Sequence, residues 1–226
     1  MTALAPALPR LRGGLVVSCQ PVTGGPLNDD GVVVRLARAA VAGGAAGVRI
    51  EGVARVAAVR AAVDVPVIGL VKRELPQFGV RITPHLADIE ALSAAGADLI
   101  AIDATDRPRP ASLADQLQAI HRTGRLALAD CATEPQALAA AALGADLVAT
   151  TLSGYTGGAV PVEPDLDLVR RLAAGGLAPM AEGRFHTPAL VRAALDAGAF
   201  AVTVGTAITR TEVVTAWFAQ ACAARR

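Results

Sequence analysis

A ten-residue pattern constrains this chain more than anything else in it. Residues 94–103 read AAGADLIAID, residues 141–150 repeat the theme as AALGADLVAT, and residues 195–205 return it as LDAGAFAVTVG. Each copy is the end of an Ala-rich helix, a glycine stop and a short apolar strand. A strand that is apolar throughout is buried on both faces, and parallel sheets covered by helices bury strands that way. Runs of the same kind fall at 14–20, 46–51, 66–71, 126–130 and 178–182, with helical segments between them. Eight strand and helix pairs in strict alternation predict an α/β fold, a closed (β/α)8 TIM barrel forming one domain over residues 1–226, with residues 1–13 as a leader segment. An open doubly wound sheet would carry a Gly-x-Gly-x-x-Gly turn after its first strand, where this chain has Cys19-Gln20-Pro21.

Composition narrows the partners. The chain is 53% hydrophobic but only 3% aromatic, so its core is built from Ala, Val, Leu and Ile. A formal charge of +1 offers no footprint for nucleic acid or an anionic membrane. Cys19, Cys131 and Cys222 lie far apart with no metal or redox spacing, which fits reduced thiols in the cytoplasm. Pro6, Pro9, Arg10 and Arg12 break any signal-peptide core, and no later apolar run is long enough for a membrane helix. Asp30 is expected to cap a helix over 31–43, and a small strand at 80–82 is expected inside the excursion 74–83, before a helix from Pro84 to about residue 95. Trp217 and Phe218, on a last helix over 212–224, are expected to join the core more readily than to form a dimer contact.

A barrel gathers the C-terminal ends of its strands on one face. That rule assembles Gln20, Arg49, Lys72, Asp103, Asp130, Glu182 and Gly205 from scattered positions. Most are charges placed directly after apolar runs, where an ion is costly unless paired or functional. Glu182 ends an apolar run, Gly183 permits a tight turn, and Thr187-Pro188 reads as an N-cap followed by a proline at the first helical position. Lys72 at a dry strand end, beside Arg49 or Arg73, invites a depressed pKa and service as a proton acceptor or a Schiff-base nucleophile. The competing structural reading has Lys72 snorkelling or paired with Glu182. Backbone amides at Gly183 and at Gly205-Thr206, with Arg210 nearby, could grip a phosphate; an ordinary turn with a surface arginine is the alternative. Asp103 and Asp130 read as supporting groups. His85, His121 and His186 lack metal spacing, so no metal is expected. On residues alone, a proton-transfer enzyme, a flavin-dependent or thiazole-synthase-like Schiff-base enzyme, and a non-catalytic sugar-phosphate binder all stay open.

Several motifs together resemble one family. They are Val17-Ser18-Cys19-Gln20, Gly69-Leu70-Val71-Lys72-Arg73, Arg81-Ile82-Thr83-Pro84, the stretch 99–105, Ala129-Asp130, Thr150-Thr151-Leu152-Ser153-Gly154-Tyr155-Thr156, Ala181-Glu182-Gly183-Arg184 and the stretch 205–210. The resemblance is to the N-acetylmannosamine-6-phosphate 2-epimerases of amino-sugar and sialic acid catabolism, and it covers almost the whole chain. It implies that Lys72 and Glu182 are catalytic and that Gln20, Arg49 and Asp130 hold the sugar. It also implies that Gly183, Gly205, Thr206 and Arg210 grip the phosphate. The implied reaction removes and returns a proton at carbon 2 with no metal or organic cofactor. The implied partner is a small sugar phosphate, in a cytoplasmic isomerase expected to be a homodimer. The chain departs from the family at Glu74-Leu75, where an aspartate and a tyrosine are common, and at His85, where a threonine is common. These positions are expected to border the loop over the sugar.

Overall fold

The structure, a computed structural model, describes residues 7–223. Helix α1 (Ala7–Leu11) precedes strand β1 (Leu15–Ser18) and helix α2 (Asp30–Ala42). Then follow β2 (Gly47–Glu51), α3 (Val53–Arg60), β3 (Val67–Leu70), α4 (Leu86–Ala94), β4 (Leu99–Asp103) and α5 (Leu113–Arg122). The second half runs β5 (Leu126–Asp130), α6 (Glu134–Ala142), β6 (Leu147–Ala149), α7 (Leu166–Ala174), β7 (Pro179–Glu182), α8 (Pro188–Asp196) and β8 (Ala201–Val204). Two helices close the chain, α9 (Thr206–Thr209) and α10 (Thr211–Ala223). The eight strands form a closed barrel in sequence order, with β8 parallel to β1.

Strand alternation builds two cores. Val16, Ile68, Leu99, Leu128, Met180 and Ala201 point inward and fill the barrel, while Val48, Ile50, Val67, Ile100 and Ile102 point outward against the helices. Ala7 and Leu11 of α1 belong to the inner cluster, and Leu11 is fully buried. Gly47 makes room for it, since a Cβ there would stand 2.5 Å from Leu11 Cδ2. Of the segment expected to be a leader, residues 1–6 lie outside the described residues and Ala7–Leu11 closes the barrel floor. With strands of only three to five residues, the helix before β1 adds apolar side chains to the inner cluster.

The repeat has a hydrogen-bonding reason. The Asp98 N–H donates to the Val67 carbonyl at 2.9 Å, and Asp98 Oδ2 accepts from the Val67 N–H at 2.9 Å. Asp146 treats Ala127 the same way, donating at 3.1 Å and accepting at 2.7 Å. Each aspartate thus satisfies an amide at the start of the preceding strand, the first residue of β3 and the second of β5, a group that would otherwise be orphaned. In the third copy Phe200 donates to the Pro179 carbonyl at 2.8 Å. Proline has no N–H, so no carboxylate is needed there. The side chain instead joins the inner core, with the Arg12 guanidinium 4.7 Å from its ring centre.

Three local expectations are corrected. The N-cap of α2 is Asp29, whose Oδ1 accepts from the Val32 N–H at 2.9 Å, and Asp30 is the first helical residue. The strand expected at 80–82 reduces to one antiparallel bridge between Lys72 and Ile82, because the excursion is a tight hairpin rather than a sheet edge. Trp217 and Phe218 are not core: α10 has no buried residue, and the two side chains are 42% and 70% exposed. Coming after the barrel has closed, α10 finds no unoccupied strand face to cover.

Asp98→Ala and Asp146→Ala should each leave a buried strand amide unpaired, at a cost of about 1–3 kcal/mol, and lower the melting temperature by several degrees in calorimetry. Phe200→Asp should also destabilise, since Pro179 offers no donor to the new carboxylate. Unchanged melting in both alanine variants would remove this explanation of the repeat.

Candidate active site

The interior changes character along the barrel axis. Below, it is filled with aliphatic side chains; at the C-terminal ends of the strands it opens into a cavity of about 820 Å³. The alternation that sends Val48 and Ile50 outward sends Arg49 inward. Its guanidinium crosses the barrel and makes a two-pronged bond to Asp130 of β5, with Nη1 to Oδ1 at 3.0 Å and Nη2 to Oδ2 at 2.7 Å. Nη1 also donates to Glu182 Oε2 of β7 at 2.6 Å. Thr151, just after β6, donates its hydroxyl to Asp130 Oδ1 at 2.5 Å. Burial alone would weaken the hold of Arg49 on its proton, but Asp130 and Glu182 outweigh it and keep the guanidinium charged. Burial pushes the Glu182 carboxyl above the usual range; Arg49 and Lys72 oppose that rise and Asp130 adds to it.

Lys72 stands on the same wall. Its backbone is fixed by the bridge to Ile82, by the Arg73 N–H donating to the Arg81 carbonyl at 3.0 Å, and by the Thr83 N–H donating to the Val71 carbonyl at 2.7 Å. The side chain is exposed to the cavity rather than sealed in a dry pocket, and it forms no ion pair with Glu182, whose partner is Arg49. The surrounding protein walls still lower its pKa below the ordinary lysine value by stripping hydration, and the charges of Arg49 and Arg210 add to that effect. Arg73 takes no part in this, because it turns away to bond Asp88, with Nε 3.0 Å from Oδ1.

Another part of the cavity wall is built by β8 and the turn after it. The Thr209 hydroxyl donates to the Ser18 carbonyl at 2.8 Å and pins α9 against β1. Arg210 Nε donates to the Gln20 carbonyl at 3.0 Å, which orients the rest of its fork. Gln20 is itself held, its Nε2 donating to Ser18 Oγ at 2.9 Å. Gly183 has φ +109°, a conformation that side-chain-bearing residues rarely adopt, and it brings the turn after Glu182 to the cavity.

Eight of the nine residues the sequence marked as the site line this cavity: Gln20, Arg49, Lys72, Glu182, Gly183, Gly205, Thr206 and Arg210. Asp130 does not. It is fully buried behind Arg49 with both oxygens engaged, so it supports the arginine rather than facing a ligand. Asp103 reaches the wall but is occupied by Thr105, at 2.6 Å from hydroxyl to Oδ1, and by Arg107, at 2.6 Å from Nη2 to Oδ2. His85 lies off the wall at the start of α4, while exposed Glu74 pairs with Arg81, which is on it.

The sequence reading missed Thr151, Thr203 and Trp217 as site residues, and it missed a clamp on the loop after β6. Arg184 Nη1 donates to the Ser153 carbonyl at 2.6 Å and Nε to the Glu163 carbonyl at 2.7 Å, with the guanidinium 5.3 Å from the centre of the Tyr155 ring. Arg184 holds φ +65° to do so. The 150–156 motif carried the signal, but its partner arginine lies some thirty residues on and is found only through contact.

Known proteins resemble this chain over most of its length. The NanE family model, N-acetylmannosamine-6-phosphate epimerase, matches residues 33–224. A protein of Photobacterium profundum named N-acetylmannosamine-6-phosphate 2-epimerase is 55% identical over 94% of this chain and 90% of its own length. One of the same name from Haemophilus ducreyi is 53% identical over 93% and 92%. The solved N-acetylmannosamine-6-phosphate 2-epimerase from Clostridium perfringens superposes with a TM-score of 0.91 at 37% identity, covering 94% of this chain and 95% of that one. A thiamine phosphate pyrophosphorylase from Pyrococcus furiosus, at 17% identity and a TM-score of 0.63, shares the fold alone.

Asp130→Ala should destabilise the protein by about 3–5 kcal/mol in urea unfolding, because it leaves a buried guanidinium short of its main counter-charge. Thr151→Val should cost about 1 kcal/mol. An Asp130→Ala midpoint equal to that of the parent would show that the ion cluster does not hold the barrel mouth.

Proposed function

The chain belongs to the N-acetylmannosamine-6-phosphate epimerase family, and from that premise we propose that its cavity interconverts N-acetylmannosamine 6-phosphate and N-acetylglucosamine 6-phosphate. The observation that carries this reading is an amine with a lowered pKa, Lys72, and a carboxyl with a raised one, Glu182, facing one cavity with Arg210 on its wall. In the open-chain sugar the hydrogen on carbon 2 lies next to the aldehyde, so a base can remove it and leave an enolate. Neutral Lys72 takes that proton, and Glu182 hydrogen-bonds or carries a proton at the sugar oxygens. Return of a proton to the opposite face inverts the centre. Arg210 and the amides at Gly183, Gly205 and Thr206 hold the phosphate, and this remote binding energy orients carbon 2. Arg49 and Gln20 face the sugar, and Asp130 acts through Arg49. The step needs no redox or group-transfer partner. It sits in amino-sugar and sialic acid catabolism, in a cytoplasmic isomerase whose three cysteines are all free.

The amine need not be dry beforehand. Lys72 is exposed in the open cavity, and a bound hexose phosphate would displace the water around it.

A homodimer belongs to the same proposal. The support is α10, whose Trp217 and Phe218 are exposed although its mean character is apolar; Trp217 also meets His186 edge-on at 6.1 Å on the cavity rim. A second copy laid on this helix would cover both aromatics.

In heavy water the protein should exchange the carbon 2 hydrogen of N-acetylmannosamine 6-phosphate as it epimerises, followed by NMR, and Lys72→Ala should lose at least a hundredfold in kcat. Since the base must be neutral, kcat/KM should rise with pH through a value below the ordinary lysine pKa of 10.5. No exchange, or full activity in Lys72→Ala, would end the reading. Light scattering should give twice the chain mass, falling to the monomer in Trp217→Ser with Phe218→Ser; a monomeric parent would refute the dimer.

A further inference from the structure

One buried hydroxyl on the cavity wall has no partner among the described residues, and the only other buried wall atom in that position is Nε of Arg49, whose Nη atoms are engaged. Thr203 of β8 is 2% exposed, and its Oγ1 is buried without a hydrogen bond. The other hydroxyls around it are engaged: Ser18 Oγ accepts from Gln20, Thr151 donates to Asp130, and Thr209 donates to the Ser18 carbonyl. A buried hydroxyl left unpaired costs stability, so one beside the proposed reacting centre calls for an explanation.

Strand register names the neighbour. Glu182 and Thr203 are Cα partners in adjoining parallel strands, as are Met180 and Ala201 two residues earlier. Met180 and Ala201 both point into the barrel interior. A period of two therefore sets Glu182 and Thr203 side by side on that same inner face, with strands about 4.8 Å apart. Glu182 Oε2 is taken by Arg49 at 2.6 Å, while Oε1 has no donor among the described residues. A carboxyl oxygen without a donor and a buried unpaired hydroxyl thus belong to neighbouring positions of one inner face, with no hydrogen bond joining them.

We infer that Thr203 is a positioning residue for Glu182, its hydroxyl pairing with the second carboxyl oxygen once the cavity is filled. This inference rests on the proposed epimerase reading. Arg49 can only donate, so it favours the ionised carboxylate and cannot accept the O–H of the carboxylic acid. A hydroxyl donates to the carboxylate and accepts from the carboxylic acid, and so follows Glu182 through both of its protonation states. No bond other than this hydrogen bond forms or breaks at Thr203.

Thr203→Val keeps the shape and removes the hydroxyl, while Thr203→Ser keeps the hydroxyl. Thr203→Val should fold with a melting temperature equal to or above the parent, because an unpaired polar atom has gone. Its kcat should fall about tenfold to a hundredfold, the loss of one hydrogen bond to a charged group, with KM within about threefold of the parent. Thr203→Ser should recover kcat to within a few-fold. Parental kcat in Thr203→Val overturns the inference, as does a lowered melting temperature that tracks the activity loss, which would make Thr203 a packing residue. A well-folded Thr203→Ser that fails to recover overturns it too. Exchange at carbon 2 by the parent protein separates the two readings: its absence removes the epimerase reading, whereas exchange in the parent with full kcat in Thr203→Val removes this inference alone.

Discussion

The placement of Arg49 between Asp130 and Glu182 is the interaction on which the upper half of the barrel depends. A guanidinium with a side chain only 2% exposed is a severe desolvation burden unless both ends of its fork are neutralised. Asp130 does most of that, with two oxygens on two nitrogens, and Thr151 steadies the pair. The cluster ties β2, β5, the end of β6 and β7 together across the axis, so the barrel mouth is braced by charge where the floor is braced by aliphatic packing. It also sorts the carboxylates chemically. Asp130 is consumed as a counter-ion, whereas Glu182 gives Arg49 one oxygen, and burial moves it toward accepting a proton.

That arrangement leaves Lys72 without a carboxylate partner. Glu182 is already claimed by Arg49, and the positive charges of Arg49 and Arg210 add to burial against protonation of the amine, opposed by Glu51 and Glu182. An amine in such company is easier to deprotonate than one on an open surface. The hairpin that carries it is held by backbone bonds and by the pairing of Arg73 with Asp88, so its position does not depend on the reacting groups. The lower barrel is organised on a different principle, with aspartates satisfying strand amides at Val67 and Ala127, and α1 filling the floor. Aliphatic packing and the ion cluster thus occupy opposite ends of the same strands.

Much of this was legible in the chain. Parallel strands buried on both faces leave an unmistakable apolar run, and glycine after each helix marks its end, so the repeat announced the barrel. The barrel rule then carried Lys72, Glu182, Gly205 and Arg210 to one face without any contact being known. Where the reading went astray, the cause was pairing at a distance. Asp130 reads from the residues as a supporting group, and only the family resemblance set it against the sugar; nothing local says that Arg49 is what it supports. Thr203 and Arg184 look like an ordinary strand threonine and a loop arginine. Trp217 and Phe218 look like core because aromatic residues so often are.

The sequence by itself determined the order of elements, the face on which their ends converge, and the kinds of charge delivered there, because period and turn chemistry are local properties of the backbone. Only the tertiary structure decided which charges neutralise one another, which carboxyl keeps a free oxygen, and which hydroxyl is left unpaired. Those outcomes depend on distances across the barrel, and the energy of a buried ion or hydrogen bond is set by partners that may be a hundred residues away in the chain.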